Sequence, residues 1–103
     1  MKLVRDKIPQ IIKESGKRCK YHTADMQEFK ERVHDKMSEE LGEFIENPCV
    51  EEAADIYEVM RTLLWIHDID FSDAISHAEN KRYERGGFCK GIVLESVDDS
   101  SSD

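Results

Sequence analysis

Paired cysteines, long apolar runs and basic stretches are all scarce in this sequence, and each scarcity closes off a class of protein. Cys19, Cys49 and Cys89 are the 3 cysteines. They are widely separated with no Cys-x-x-Cys spacing, so neither a disulfide framework nor a zinc ribbon is expected. The opening Met1-Lys2-Leu3-Val4-Arg5-Asp6 has no apolar run of signal-peptide length, and no stretch approaches the roughly 18 apolar residues of a spanning helix. A cytoplasmic protein without membrane association is the expectation. Lys and Arg number 15 against 23 Asp and Glu, for a net charge of −8. That balance argues against binding a nucleic-acid polymer. The 2 prolines, Pro9 and Pro48, both sit where a helix begins, and no repeat or linker divides the chain.

What remains is a helical chain with a heavily solvated surface. Of its 103 residues, 37% are charged and 39% hydrophobic, and the apolar ones recur periodically rather than at random. That length suits one small domain, here expected over residues 1–97, followed by a disordered tail of Asp and Ser over 98–103. Leu3, Val4, Ile8, Ile11 and Ile12 predict a short helix over residues 8–15, closed by Gly16. Asp25 followed by Glu28 has capping-box spacing. It opens a long amphipathic helix to about Glu46 through Met26, Phe29, Val33, Met37, Leu41 and Phe44. Asn47 as N-cap and Pro48 as first residue predict an immediate restart. The helix that follows is apolar on most of its circumference and is expected to be the buried one, with Trp65 in the core. Ser72 predicts the cap of a last helix ending at Arg85-Gly86-Gly87. The fold class is therefore all-α, a helical bundle, with two short segments near the termini, residues 17–22 and 91–97, that have the composition of a β pair.

Two acidic runs stand out, Glu39-Glu40-Leu41-Gly42-Glu43 and Glu51-Glu52-Ala53-Ala54-Asp55. Helical positions three apart share a face, so Glu40 pairs with Glu43 and Glu52 with Asp55. A turn at Asn47-Pro48 would fold the two segments back antiparallel and bring the four carboxylates to one point. Chance supplies roughly five acidic pairs at this spacing in so acidic a chain, and one such pair means little. Two on consecutive helices, one of them mostly apolar, mean more. Converging carboxylates in an interior need a cation or a shared proton, and oxygen-only ligation suits a hard ion such as Mg²⁺. Two basic clusters, Lys81 with Arg82 and Arg85, and Arg5 with Lys7, are what a polyphosphate beside such a metal requires. Acidity overall does not exclude a nucleotide, since a metal and a few local cations reverse the field at one site. His22, His34, His67 and His77 lack ligand spacing and read as surface or packing residues.

Taken in order, Lys2-Leu3-Val4-Arg5-Asp6-Lys7-Ile8-Pro9, Glu39-Glu40-Leu41-Gly42-Glu43, Glu51-Glu52-Ala53-Ala54-Asp55-Ile56 and Lys81-Arg82-Tyr83-Glu84-Arg85-Gly86-Gly87-Phe88 form a familiar series. The chain resembles the small phosphoribosyl-ATP pyrophosphohydrolase-like, or MazG-like, proteins of the all-α NTP pyrophosphatase superfamily, from Lys2 to about Leu94. The resemblance implies a helical core often completed by dimerisation, hence a homodimer or higher homo-oligomer. It also implies Mg²⁺-dependent cleavage of a nucleotide between its α and β phosphates. By the same resemblance Glu40 and Glu43, with Glu52 and Asp55, would be the metal ligands. Glu39, with Glu40, would serve catalysis by orienting the attacking water or taking its proton. Lys81, Arg82, Arg85, Arg5 and Lys7 would bind substrate. The segment between the two acidic motifs, residues 44–51, is shorter than in many relatives, which bears on pocket depth and substrate size. A helical protein that binds a nucleotide without cleaving it, or a structural adaptor with a solvated acidic face, is the competing expectation.

Overall fold

The computed structural model describes residues 1–99 and contains four α-helices among them: α1 (Ile8–Glu14), α2 (Met26–Glu46), α3 (Val50–Ile66) and α4 (Phe71–Arg85). The protein is all-α, as its periodicity predicts. Residues 100–103 of the expected disordered tail lie outside the described residues. The chain divides into two compact units, Met1–Phe71 and a second beginning at Ser72.

In the first unit, Pro9 falls in the opening turn of α1, where its missing N–H leaves no bond unmade. Gly16 ends that helix at φ +85°, a left-handed backbone that favours glycine. Its N–H donates to the Lys13 carbonyl at 3.0 Å, and that of Lys17 donates to the Ile12 carbonyl at 3.2 Å. Together these satisfy carbonyls that a helix end otherwise leaves open. α2 starts as the capping pattern predicts, with the Glu28 N–H donating to Asp25 Oδ1 at 2.9 Å. The Glu28 carboxylate, in turn, lies 3.0 Å from His22 Nε2 and accepts from Arg32 Nε at 3.3 Å. The hydrogen bond to His22, then that to Arg32, holds Glu28 below the ordinary carboxylate value.

Three sequence expectations are corrected here. Asn47 closes α2, its N–H donating to the Glu43 carbonyl at 3.0 Å, and Cys49 rather than Asn47 is the N-cap of α3. The turn thus uses three residues, with Pro48 inside it and outside both helices. α4 begins at Phe71, one residue before the expected cap Ser72. Finally, residues 17–22 and 91–97 are irregular, with no strand among the described residues. β-Branched composition is only a fitness for a pleated, half-buried surface. Ile92, Val93, Leu94 and Val97 are exposed instead, and His22 is engaged by a side chain on α2.

α2 and α3 form an antiparallel hairpin: Phe29 meets Trp65 near the open end, with ring centroids 6.3 Å apart, while Glu40 lies beside Glu52 and Asp55 near the turn. Its fully packed apolar centre is small. Val33 and Ile66 are the buried hydrophobic residues among those described. The expectation that α3 is the buried helix is therefore corrected, because within the first unit it packs one face on α2 and turns other apolar residues outward. Trp65 is 66% exposed rather than core, and Val50, Tyr57 and Met60 also face outward. Tyr57 does have a ring neighbour, meeting Phe71 edge-on at 5.2 Å. Among the described residues no helix is long and apolar enough to cross a membrane.

The unit from Ser72 holds the rest of α4. It ends at Gly86, whose φ of +87° and N–H bond to the Arg82 carbonyl at 2.8 Å make the expected glycine stop.

With so few residues fully enclosed, each should weigh heavily. Val33→Ala is expected to cost about 2 kcal/mol through lost burial and a residual cavity, and Asp25→Ala about 1 kcal/mol through the lost cap. Urea denaturation of each variant measures both.

Candidate metal centre

α2 presents Glu39, Glu40 and Glu43 on neighbouring positions of its last turns, and α3 presents Glu52 and Asp55 from its first turns. The short turn after Glu46 holds the two ends together. Five carboxylates result, in two overlapping sets: Glu39, Glu40 and Glu43 in one, and Glu40, Glu52 and Asp55 in the other. Each set offers oxygens within 4.8 Å of one another. The expected convergence of four at one point is thereby refined to two sets hinged on Glu40.

Glu40 is the centre of the arrangement. It is 4% exposed, the one buried charged residue among those described. Its Oε1 lies 3.3 Å from Lys36 Nζ, whereas its Oε2 is buried without a hydrogen-bond partner. Glu52 Oε2 is in the same condition. Leaving such an acceptor unmatched costs about 1–3 kcal/mol, more for a charged group. A bound cation would satisfy both. The donor set is all oxygen, which suits a hard cation rather than a softer metal.

The cations around these acids come from two places. Arg5 Nη2 donates to Asp55 Oδ1 at 2.8 Å, fifty residues away in sequence, and this bond holds the guanidinium above its ordinary value. Lys36, one turn before the acids on α2, reaches both Glu39 Oε1 at 3.6 Å and Glu40 Oε1 at 3.3 Å. The sequence reading had Arg5 and missed Lys36. Its spacing of three and four from Glu39 and Glu40 was the signal, since those positions share a helix face. Arg5, Lys7 and Lys36 line the same groove of about 540 Å³ as Glu40 and Asp55, against an apolar wall that includes Ile8 and Val33. Lys81, Arg82 and Arg85 are exposed on the closing turns of α4, in the second unit. The histidines stay outside both carboxylate sets. His34 and His67 face one another at 5.9 Å, and His22 holds Glu28.

Crowding has an electrostatic consequence at Glu43. Repulsion from Glu40 comes first among the causes that push its carboxyl above the ordinary value, followed by desolvation and by the further charges of Glu52 and Glu39. Comparison with known protein families, with curated proteins and with solved structures returns no match.

A carboxyl raised in the folded state favours folding below its unfolded value and loses that contribution as pH rises through its folded value. In EDTA, Glu43→Gln should therefore melt higher than the wild type at neutral pH, with the difference closing as pH falls into the carboxylate range. Thermal denaturation of the pair across pH 4 to 8 reads this, and equal curves would show that the repulsion is not felt.

Proposed function

We propose that this protein is a Mg²⁺-dependent nucleotide pyrophosphohydrolase, cleaving the α–β phosphoanhydride of a nucleoside triphosphate or related nucleotide to a monophosphate and pyrophosphate. One observation carries the metal: Glu40, buried where two carboxylate sets meet, with Oε2 lacking any partner. Stability gives no reason to hold an unmatched carboxylate oxygen in an interior, whereas ligation does. The nucleotide and the bond cleaved rest on the sequence resemblance.

Glu40, Glu43, Glu52 and Asp55 would hold one or two ions, with Glu40 shared between the two sets. When bound, Mg²⁺ supplies neutralisation of phosphate charge and a water of lowered pKa. Glu39, beside Glu40 and Glu43, would orient that water or accept its proton on a carboxylate oxygen. Arg5 and Lys7 line the groove with Glu40 and Asp55 and would bind phosphate oxygens, Arg5 in bidentate fashion. Lys81, Arg82 and Arg85 keep the phosphate role that the resemblance implies. The apolar wall of the groove suits a base or ribose rather than more phosphate.

Self-association belongs to the same reading. Ile45, Val50 and Trp65, all on the α2–α3 hairpin, are each more than 60% exposed. Apolar surface of that kind is characteristic of a face covered by another chain. We place the protein in the cytoplasm as a homodimer or higher homo-oligomer, and sedimentation at micromolar concentration should give a mass above that of one chain.

The test of the reaction is a panel of nucleoside triphosphates, deoxy and modified ones included, with Mg²⁺ and with EDTA, the products separated by chromatography. Monophosphate and pyrophosphate, lost in EDTA, are expected. Glu40→Gln and Asp55→Asn should each lower the rate on the order of 100-fold, the scale seen when electrostatic support is taken from a reacting phosphate or its metal. Turnover that survives EDTA, or release of orthophosphate instead, would overturn the proposal.

A further inference from the structure

Lys36 has a role that the acidic motifs alone do not suggest. Its side chain is 19% exposed, and its ammonium group touches two of the candidate ligands, Glu39 and Glu40, at 3.6 and 3.3 Å. Glu40 is itself 4% exposed, and its other oxygen has no partner. One half of the buried carboxylate is thus neutralised by the chain's own cation, and the other half is buried with no partner of its own. A divalent ion held by Glu40 would bring two further positive charges against the ammonium, at a distance where repulsion is strong in a partly desolvated site. Lys36 and the ion would then compete for Glu40. The ammonium, on a four-carbon stem with three rotatable donors, has somewhere else to go, because Lys36 lines the same groove as Arg5, Lys7 and Asp55.

Building on the proposed metal site, we propose that Lys36 is the built-in counter-ion of Glu40: it occupies the carboxylate in the metal-free protein, leaves it when a divalent cation is bound, and then engages a phosphate oxygen of the ligand in the groove. The site would thereby recognise a metal–diphosphate unit as a pair, since the same cation answers to both. Arg5 differs in kind. Its contact with Asp55 is largely exposed, at 57% and 40% for the two side chains, so screening weakens what its release contributes.

The experiment compares the wild type with Lys36→Met, which keeps the aliphatic stem, by thermal denaturation and calorimetric titration. If Lys36 acts as stated, Lys36→Met melts lower than wild type in EDTA, and the deficit closes at saturating MgCl₂. Its Mg²⁺ affinity rises about fivefold, because the competing cation is gone, while its affinity for pyrophosphate in the presence of Mg²⁺ falls about tenfold. Lys36→Arg restores pyrophosphate binding in part. A melting deficit that persists unchanged at saturating Mg²⁺ would overturn the counter-ion role, because Lys36 would then remain on Glu40 throughout. Should Lys36→Met fail to fold, amine labelling of the unaltered protein, read by mass spectrometry, decides the matter. Lys36 should become more reactive with Mg²⁺ and protected again on adding pyrophosphate, and labelling indifferent to both would overturn the proposal. A wild type whose melting and titration ignore Mg²⁺ would remove the metal reading itself, an outcome distinct from losing Lys36 alone.

Discussion

The rest of this protein's first unit depends on one buried carboxylate. Glu40 lies on α2 where the helix faces α3, 4% exposed, and a charge there is tolerated only with compensation. Removing a carboxylate from water costs several kcal/mol even after the surroundings relax. Lys36 supplies part of the compensation from the same helix, one turn back. The hairpin turn has to be short to hold Glu52 and Asp55 against Glu40, and the three residues 47–49 make it so. Hydrophobic packing alone would have placed a leucine at this position. Charge in its place trades away stability, a conflict between local rules and the global fold that the proposed metal site would explain.

That trade is sharper because little else in the unit is enclosed. Val33 and Ile66 are the buried apolar side chains among those described. A chain of this size ordinarily encloses more, since a 60-residue domain already buries about 60% of its unfolded surface. The apolar residues themselves are present: α3 alone carries Val50, Tyr57, Met60 and Trp65 outward. Within the first unit α3 packs along α2 and turns these side chains outward as an apolar flank. The carboxylate cluster and the apolar flank thus occupy the same hairpin, which ties the proposed assembly state to the integrity of the proposed metal site.

Legibility in the sequence followed the range of the interaction. Asp25 and Glu28 gave the start of α2 because a cap is read over three residues. Gly16 and Gly86 gave two stops because a left-handed backbone favours one residue type. The carboxylate pairs were readable from helical spacing and a turn signal. Their true arrangement as two sets sharing Glu40 was not, because it depends on the angle at which α3 returns. Trp65 was misplaced for a related reason: an apolar periodicity names a face that wants cover, not the element that covers it. The Arg5–Asp55 pair spans fifty residues, beyond any local rule. Lys36 is the exception, a local contact at helical spacing that lies within reach of a local rule. The two supposed strands failed because a short alternation at residues 17–22 and β-branched composition at 91–97 describe a surface that could pair, not a partner that does.

Magnitudes decide which of the two cations governs the acidic cluster. Arg5 makes the shorter bond, 2.8 Å to Asp55, and Lys36 the longer one, 3.3 Å to Glu40. By distance alone Arg5 would matter more. Exposure reverses the order. The Arg5 and Asp55 side chains are 57% and 40% open to water, and exposed pairs contribute about 0–1 kcal/mol because solvent and salt screen them. The Lys36 and Glu40 side chains are 19% and 5% open, where screening is weak and breaking a pair by removing one partner costs about 3–5 kcal/mol. Arg5 therefore serves chiefly as a tether for the N-terminal segment across the groove, one that a competing ion or a modest rise in salt can loosen. Lys36 sets the electrostatic state of the cluster itself. A cation that enters must first contend with the chain's own, and the cost of that contest is fixed by the burial of Glu40 rather than by the number of acids around it.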